Sequence, residues 1–289
     1  MTLLFIAALL PAIAVMVFVY KKDKAEPEPI ALVLRVFFLG AASGLVAGFV
    51  ESILISAFEA VIPPGILLLG VTYFIGVAAV EEACKFFCLN TVKNNPAFNY
   101  VFDAIVYSVA AALGFAALEN VFYVMEGGFE TAVMRAIFSV PGHAADGVVM
   151  GVFYGIARQH ELYGRKQQAT QSYLLAFLLP MIEHGFYDAA LSTESDMMAL
   201  VAMAVDLAFI ALAFTLVRRK SVMDQPLHPS VATPQPQQHM TQGQNPYVQM
   251  QQPQQQMPQP TATGSNWYCP YCGTPNTGNF CINCGAKRP

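Results

Sequence analysis

The chain has 289 residues, of which 55% are apolar and 12% charged, with a net charge of -4 and a mean hydropathy of +0.47. A soluble domain carries about twice that share of charged residues, so the composition excludes an ordinary soluble globule and puts most of the chain in a lipid bilayer. The net charge says little by itself, no nucleic-acid partner is expected, and the information lies in how the charges are distributed.

Apolar runs of about twenty residues cross a hydrocarbon core. Here they predict spans near residues 2–20, 31–58, 65–89, 101–125, 131–157, 171–191 and 197–217. The fold class expected is an all-α polytopic membrane protein of about seven transmembrane helices over residues 1–220. The loops alternate in charge. Lys21, Lys22 and Lys24, then Lys93, then Arg158, Arg165 and Lys166, then Arg218, Arg219 and Lys220 fall on one side. The Ile62-Pro63-Pro64 turn, Glu126 with Glu130, and Glu194 with Asp196 fall on the other. Lys and Arg collect in cytoplasmic loops, which puts the N-terminus outside and the C-terminal tail in the cytoplasm. The first run contains Ala12-Ile13-Ala14, which looks like a cleavage site, but no basic residue precedes it, so an uncleaved helix is expected.

In the second span Gly40, Gly44 and Gly48 form a stripe of small residues at helical spacing, which fits close packing between helices. Glu51, one turn on, has no evident role. Arg35 lies near an interface, where a long side chain reaches water.

The third span contains VAAVEEACKFF, with Glu81, Glu82 and Lys85 inside it. A charge near the bilayer centre costs roughly 2.5 to 3.5 kcal/mol, whereas each Leu, Ile, Val or Phe returns only about 0.3 to 0.6. Lys85 follows Glu81 by four residues and Glu82 by three, the spacing of helical ion pairs. It is expected to hold one carboxylate charged while the other faces a cavity. Cys84 and Cys88 read as reduced, small hydrophobes.

The fourth span opens on Asp103 and carries FAALENVFY, with Glu119 and Asn120. The fifth carries SVPGHAADG, with His143 and Asp146, and Arg135 near its outer end reads as a snorkelling side chain. His143, Gly147, Gly151 and Gly155 step by four, so His143 is expected to face the bundle, and Pro141 is expected to kink the helix beside it. The sixth carries PMIEHGFYD, with Glu183, His184 and Asp188; the spacing of four lets Asp188 orient the His184 imidazole.

One buried Glu or His can serve as polar glue between helices. Four helices each bringing an ionisable group inward point instead to a functional cavity. Carboxylate plus imidazole can activate water and protonate a leaving amine, and Asn or His can donate to an oxyanion, so peptide hydrolysis fits. Two His and a Glu also make a catalytic zinc set with an open position, here His143, His184 and Glu82, although there is no HExxH. A proton-coupled transporter or channel could use the same groups as a relay, and a non-catalytic scaffold for the tail is a third reading.

Residues 221–266 are rich in Gln and Pro and nearly free of aliphatic side chains, the composition of a disordered linker. Residues 267–289 read WYCPYCGTPNTGNFCINCGAKRP, with Cys269, Cys272, Cys281 and Cys284 in two CxxC knuckles eight residues apart. Four thiolates at that spacing predict a small zinc ribbon with a closed Zn2+ shell. Ribbons of this kind usually serve as interaction modules, so a cytoplasmic protein partner is expected for it.

At these residues the chain resembles the PrsW family of intramembrane proteases, itself similar to the CAAX-prenyl endopeptidase group. The resemblance rests on EEACK at 81–85 for EExxK, FAALEN at 115–120 for FxxxEN, RAIFSVPGHA at 135–144 for an Arg-to-His segment and HGFYD at 184–188 for HGxxD. FDAIVY at 102–107 also looks like the family's segment before FxxxEN. The resemblance implies water activation by Glu81 and Glu82, with His143 and His184 as catalytic or metal-binding groups and Lys85, Glu119, Asn120 and Asp188 in support. It further implies a prokaryotic plasma-membrane enzyme that cuts membrane-anchored regulatory proteins, including anti-sigma factors. Metal dependence stays open. The linker and ribbon lie outside the family pattern.

Overall fold

The computed structural model describes residues 2–222 and 224–227, together with the backbone of Trp267, Tyr268, Pro275 and Asn276. The chain divides into two units, Met1–Leu227 and His228–Pro289. In the second unit, β1 (Trp267–Tyr268) pairs antiparallel with β2 (Pro275–Asn276), Trp267 opposite Asn276. The expected zinc ligands Cys269, Cys272, Cys281 and Cys284, and most of the expected linker, lie outside the described residues.

The first unit is all-helical, with α1 (Thr2–Tyr20), α2 (Ile30–Val61), α3 (Ile66–Gly70), a π-helical segment (Val71–Ala78), α4 (Ala79–Asn90), α5 (Val101–Ile137), α6 (Ser139–Leu162), α7 (Lys166–Leu191) and α8 (Asp196–Val222). Six helical stretches are long and apolar enough to cross a membrane, and one of these, Val101–Leu162, contains both α5 and α6. Large apolar side chains such as Phe5, Phe38, Phe49 and Leu200 point outward, which suits lipid rather than water.

The core is built around α5. Its first seventeen residues, 101–117, are all buried. They are mainly Ala, Val and Gly, which lets other helices close in on every side. An added Cβ on Gly114 would stand 1.9 Å from the Phe37 carbonyl oxygen of α2, and one on Gly40 2.1 Å from that of Ala111. The α6 stripe packs the same way. Gly147 meets Val109, Gly151 meets Ile105 and Gly155 meets Val101, so α6 runs antiparallel along α5. Gly48, the third member of the α2 stripe, meets nothing within 4 Å and instead lines a cavity.

This contrast makes a prediction. Gly114→Ala should lower the melting temperature of the purified protein in detergent, because overpacking of this kind costs about 1 to 3 kcal/mol. Gly48→Ala should leave it unchanged or raise it, since Ala is the better helix former by roughly 1 kcal/mol. Equal shifts for the two would refute the packing argument.

The expected breaks are present, and one boundary differs from the sequence expectation. The turn expected after residue 125 falls at Gly128, whose φ of 75° and ψ of -156° break the helix, and the pairing of Gly155 with Val101, Gly151 with Ile105 and Gly147 with Val109 about that point shows that the chain reverses there. Phe138 is a smaller break in the returning helix, its N–H still donating to the Met134 carbonyl and its carbonyl accepting from the Gly142 N–H, and α6 starts at Ser139. Pro141 sits in the first turn of α6 and breaks the returning helix beside it, as expected. Its ring would clash with the carbonyl four residues back, at Ile137, which is where the chain breaks. Finally, residues 224–227, assigned by composition to the linker, lie on the core. Val101 N–H donates to the Gln225 carbonyl at 3.0 Å, Leu227 N–H to the Asn99 carbonyl at 2.7 Å, and Leu227 is buried.

Candidate active site

The π-helical segment ends three residues before Glu81. A π turn holds more residues than an α turn, so it rotates everything beyond it relative to a continuous α-helix, and such segments recur at functional sites. Here α4 presents Glu81, Glu82 and Lys85 to the interior, all buried. The Lys85 ammonium donates to Glu82 Oε1 at 2.6 Å and lies 3.4 Å from Glu81 Oε2. It also lies 3.0 Å from His143 Nδ1.

Both histidines arrive with a carboxylate behind them. His143 Nε2 is 2.9 Å from Glu119 Oε2, and His184 Nε2 is 3.3 Å from Asp188 Oδ2. Assigning the ring proton to Nε2 in each case leaves the Nδ1 lone pairs facing inward. His184 Nδ1 lies 3.0 Å from Glu82 Oε1, and His184 Nε2 3.8 Å from Glu81 Oε2. The two imidazole rings stand edge to face, 5.3 Å apart.

Glu119 and Asn120 sit in the outer half of α5, while Glu81 and Glu82 sit only two to three turns from the end of α4, so sequence depth alone does not bring them together. The structure explains how they meet. The Tyr154 hydroxyl donates to Asn90 Oδ1 at 2.8 Å, so α4 stops level with a point eight residues short of the end of α6. That places the end of α4 about 12 Å short of the end of α6 and level with the start of α5, where Val101 packs on Gly155.

Arg135 does not snorkel outward. The helix beyond Gly128 turns it inward, where Nη2 lies 2.9 Å from Glu119 Oε2 and Nε donates to Asn120 Oδ1. Asn120 in turn donates to the Ala8 carbonyl of α1 at 3.0 Å. The chain Arg135, Glu119, His143 thus fixes one imidazole from the far side, as Asp188 does the other.

Next to the cluster lies a cavity of about 800 Å³, lined by Glu81, Glu119, His143, His184 and Asp188 on one side and by Glu51, Asp146, Glu183 and Asp206 on others. Glu82 is not on its wall and is fully buried. Glu81 faces the cavity and Glu82 is held behind it. Sequence reading gave Glu51 no role and overlooked Asp206, although a lone carboxylate in the apolar run of α8 carries the same signal as the others. One oxygen each of Glu51, Asp146, Glu183 and Asp206 is buried without a hydrogen-bond partner.

One oxygen or ring nitrogen from each of Glu81, Glu82, His143 and His184 lies within 4.8 Å of the others. A divalent metal fits this set on three grounds. Two imidazoles and two carboxylates suit zinc-like ions. Each imidazole is oriented by a carboxylate on its other nitrogen, the usual arrangement behind a metal-ligating histidine. With the ring proton on Nε2, His184 Nδ1 would offer a lone pair beside Glu82 Oε1, 3.0 Å away, and Glu82 Oε2 is buried and unpartnered. The Lys85 ammonium, between Glu82 and His143, marks the place for positive charge.

A family model described as PrsW family intramembrane metalloprotease matches residues 28–217. This chain belongs to the PrsW family. Among curated relatives, Protease PrsW of Oceanobacillus iheyensis is 33% identical over 213 residues, 73% of this chain and 94% of its own length. Protease PrsW of Geobacillus kaustophilus is 35% identical over 184 residues, covering 63% and 76% of the two chains. That of Bacillus subtilis is 33% identical over 194 residues, covering 66% and 83%. No solved structure matches the chain. As a PrsW protein it is a multi-pass membrane peptidase, and its cluster of ionisable groups lies within the matched region.

Proposed function

We propose that this PrsW protein cuts membrane-anchored regulatory proteins, such as anti-sigma factors, at a site built from Glu81, Glu82, His143 and His184. Read as two crossings joined at Gly128, the stretch Val101–Leu162 brings the membrane passes to seven. The positive loops then put the N-terminus outside the plasma membrane and the tail in the cytoplasm. There the four-cysteine segment would bind zinc and recruit a protein partner through its linker.

The observation that carries the reading is the division of labour between the two glutamates. Glu81 lines the cavity, 3.8 Å from His184 Nε2, while Glu82 is sealed behind it on Lys85 and His184. Glu81 is thus positioned to take a proton from a water molecule in the cavity, and the oriented imidazoles to pass one to the leaving amine. His143 Nδ1, His184 Nδ1 and Glu82 would hold the metal. Such an ion, when bound, supplies Lewis-acid polarisation of the carbonyl and a lower pKa for the attacking water. Lys85 keeps Glu82 charged, and the Arg135 to Glu119 contact fixes the His143 ring. Family membership gives no support to a transporter using the same groups.

The test compares membrane proteomes of cells carrying the intact protein and the Glu81→Gln, Glu82→Gln double variant. A single-span protein should accumulate uncut in the variant while its shortened form disappears, naming the substrate. Matching proteomes under several stresses would sink the substrate assignment.

A further inference from the structure

A second cluster of carboxylates lies at the opposite end of the molecule's polar network, where α1 ends, α2 and α5 begin and α8 gives way to the tail. One oxygen from each of Asp23, Asp103 and Asp224 lies within 4.8 Å of the others. Asp23 is 6% exposed, and neither of its oxygens has a hydrogen-bond partner; the Glu26 and Glu28 amides approach it without hydrogen-bond geometry. Asp103 is wholly buried. Its Oδ2 accepts from the Asn99 and Tyr100 amides at 2.8 and 2.6 Å, capping the start of α5, while its Oδ1 receives no N–H or hydroxyl donor and its carboxyl group lies within reach of that of Glu28. Asp224 repeats the pattern, with Oδ1 accepting from the Phe102 and Gln225 amides, both at 2.9 Å, and Oδ2 unpartnered.

Two of the three carboxylates are therefore pinned by backbone amides through one oxygen and leave the other unused, and the third is unused entirely. Glu28, also buried, adds a fourth negative group beside them and accepts from the Tyr107 hydroxyl. Among the described residues none of the four makes a direct ion pair with a Lys, Arg or His, and the one cation acting on them from a distance is Lys220, near Asp224. Burial, then the Asp224 charge, pushes Asp23 up to about 6, and burial pushes Glu28 up to about 7. Converging buried carboxylates without a counter-ion are costly.

We propose that Asp23, Asp103 and Asp224 form a binding site for a hard divalent cation of calcium size, which ties the segment after α8 to the start of α5. The ligands are all oxygen, which favours Ca2+ or Mg2+ over zinc-like ions. Ca2+ accepts irregular oxygen shells at roughly 2.3 to 2.6 Å, as carboxylates from three separate chain segments would supply, whereas Mg2+ demands near-ideal octahedral geometry at about 2.0 to 2.1 Å. The site is independent of the catalytic cluster and of the tail cysteines, neither of which suits calcium.

The full-length protein, stripped with EDTA in detergent, is melted alone, with Ca2+ and with Mg2+, and bound calcium is counted by equilibrium dialysis. Wild type should bind one Ca2+ at this site and gain roughly 5 °C or more at a hundredfold excess over Kd. Asp23→Asn and Asp224→Asn should each lose the bound ion and the gain, while Glu82→Gln keeps both. In EDTA, Asp23→Asn should melt no lower than wild type, because it removes a repelling charge. No saturable calcium response in wild type would overturn the proposal, as would an undiminished response in both aspartate variants. A larger shift with Mg2+ than with Ca2+ would overturn the assigned size.

Discussion

Glu81→Gln is expected to slow cleavage by about 10²- to 10⁴-fold, the usual contribution of a positioned general base, while leaving the protein folded in the membrane. Gln keeps the shape of the side chain and can still accept from Lys85, which lies 3.4 Å from Glu81 Oε2 and holds Glu82 more closely. What it loses is the ability to take a proton from water at the cavity wall. Single-turnover cleavage of an identified substrate in proteoliposomes would measure the chemical step directly. Turnover within a few fold of wild type would move the base elsewhere, with Glu119 as the next carboxylate on the wall.

Lys85→Met should show the largest effect on stability. The ammonium is 1% exposed and sits between a fully buried Glu82 and His143. Removing one partner of a buried pair leaves an uncompensated charge and costs roughly 3 to 5 kcal/mol. The double variant Lys85→Met, Glu82→Gln removes both charges and should recover most of that loss. Melting each variant in detergent with EDTA present keeps a bound metal from standing in for the lysine. If the single variant is as stable as wild type, or the second change restores nothing, Lys85 is not the counter-ion of Glu82.

Much of this was legible in the sequence because lipid punishes charge. Every span carrying Glu81, Glu82, Lys85, His143 or His184 could be found from hydropathy, and spacing alone paired His184 with Asp188 and aimed the glycine stripe of α6 at a neighbour. What hydropathy does not encode is which side chains a reversal brings together. Arg135 looked like an interfacial side chain because it lies near the end of its run, and only the reversal at Gly128 lays it against Glu119. The depth of Glu81 was likewise hidden, since it depends on α4 ending early against Tyr154. The attachment of residues 224–227 was invisible to composition, because it uses backbone hydrogen bonds and two side chains in an otherwise polar segment. Asp206 could have been found by the same rule as the others.

The π-helical stretch from Val71 to Ala78 has one more implication. Each residue of an α-helix advances the facing direction by about 100°. The direction in which Glu81 and Glu82 look is therefore a matter of helical phase, fixed by a hydrogen-bonding irregularity that contains neither glutamate. Losing or gaining a single residue there would leave every side chain of the cluster present and turn the glutamate pair away from it, so the cluster of this membrane protein depends on the count of residues as much as on their identity.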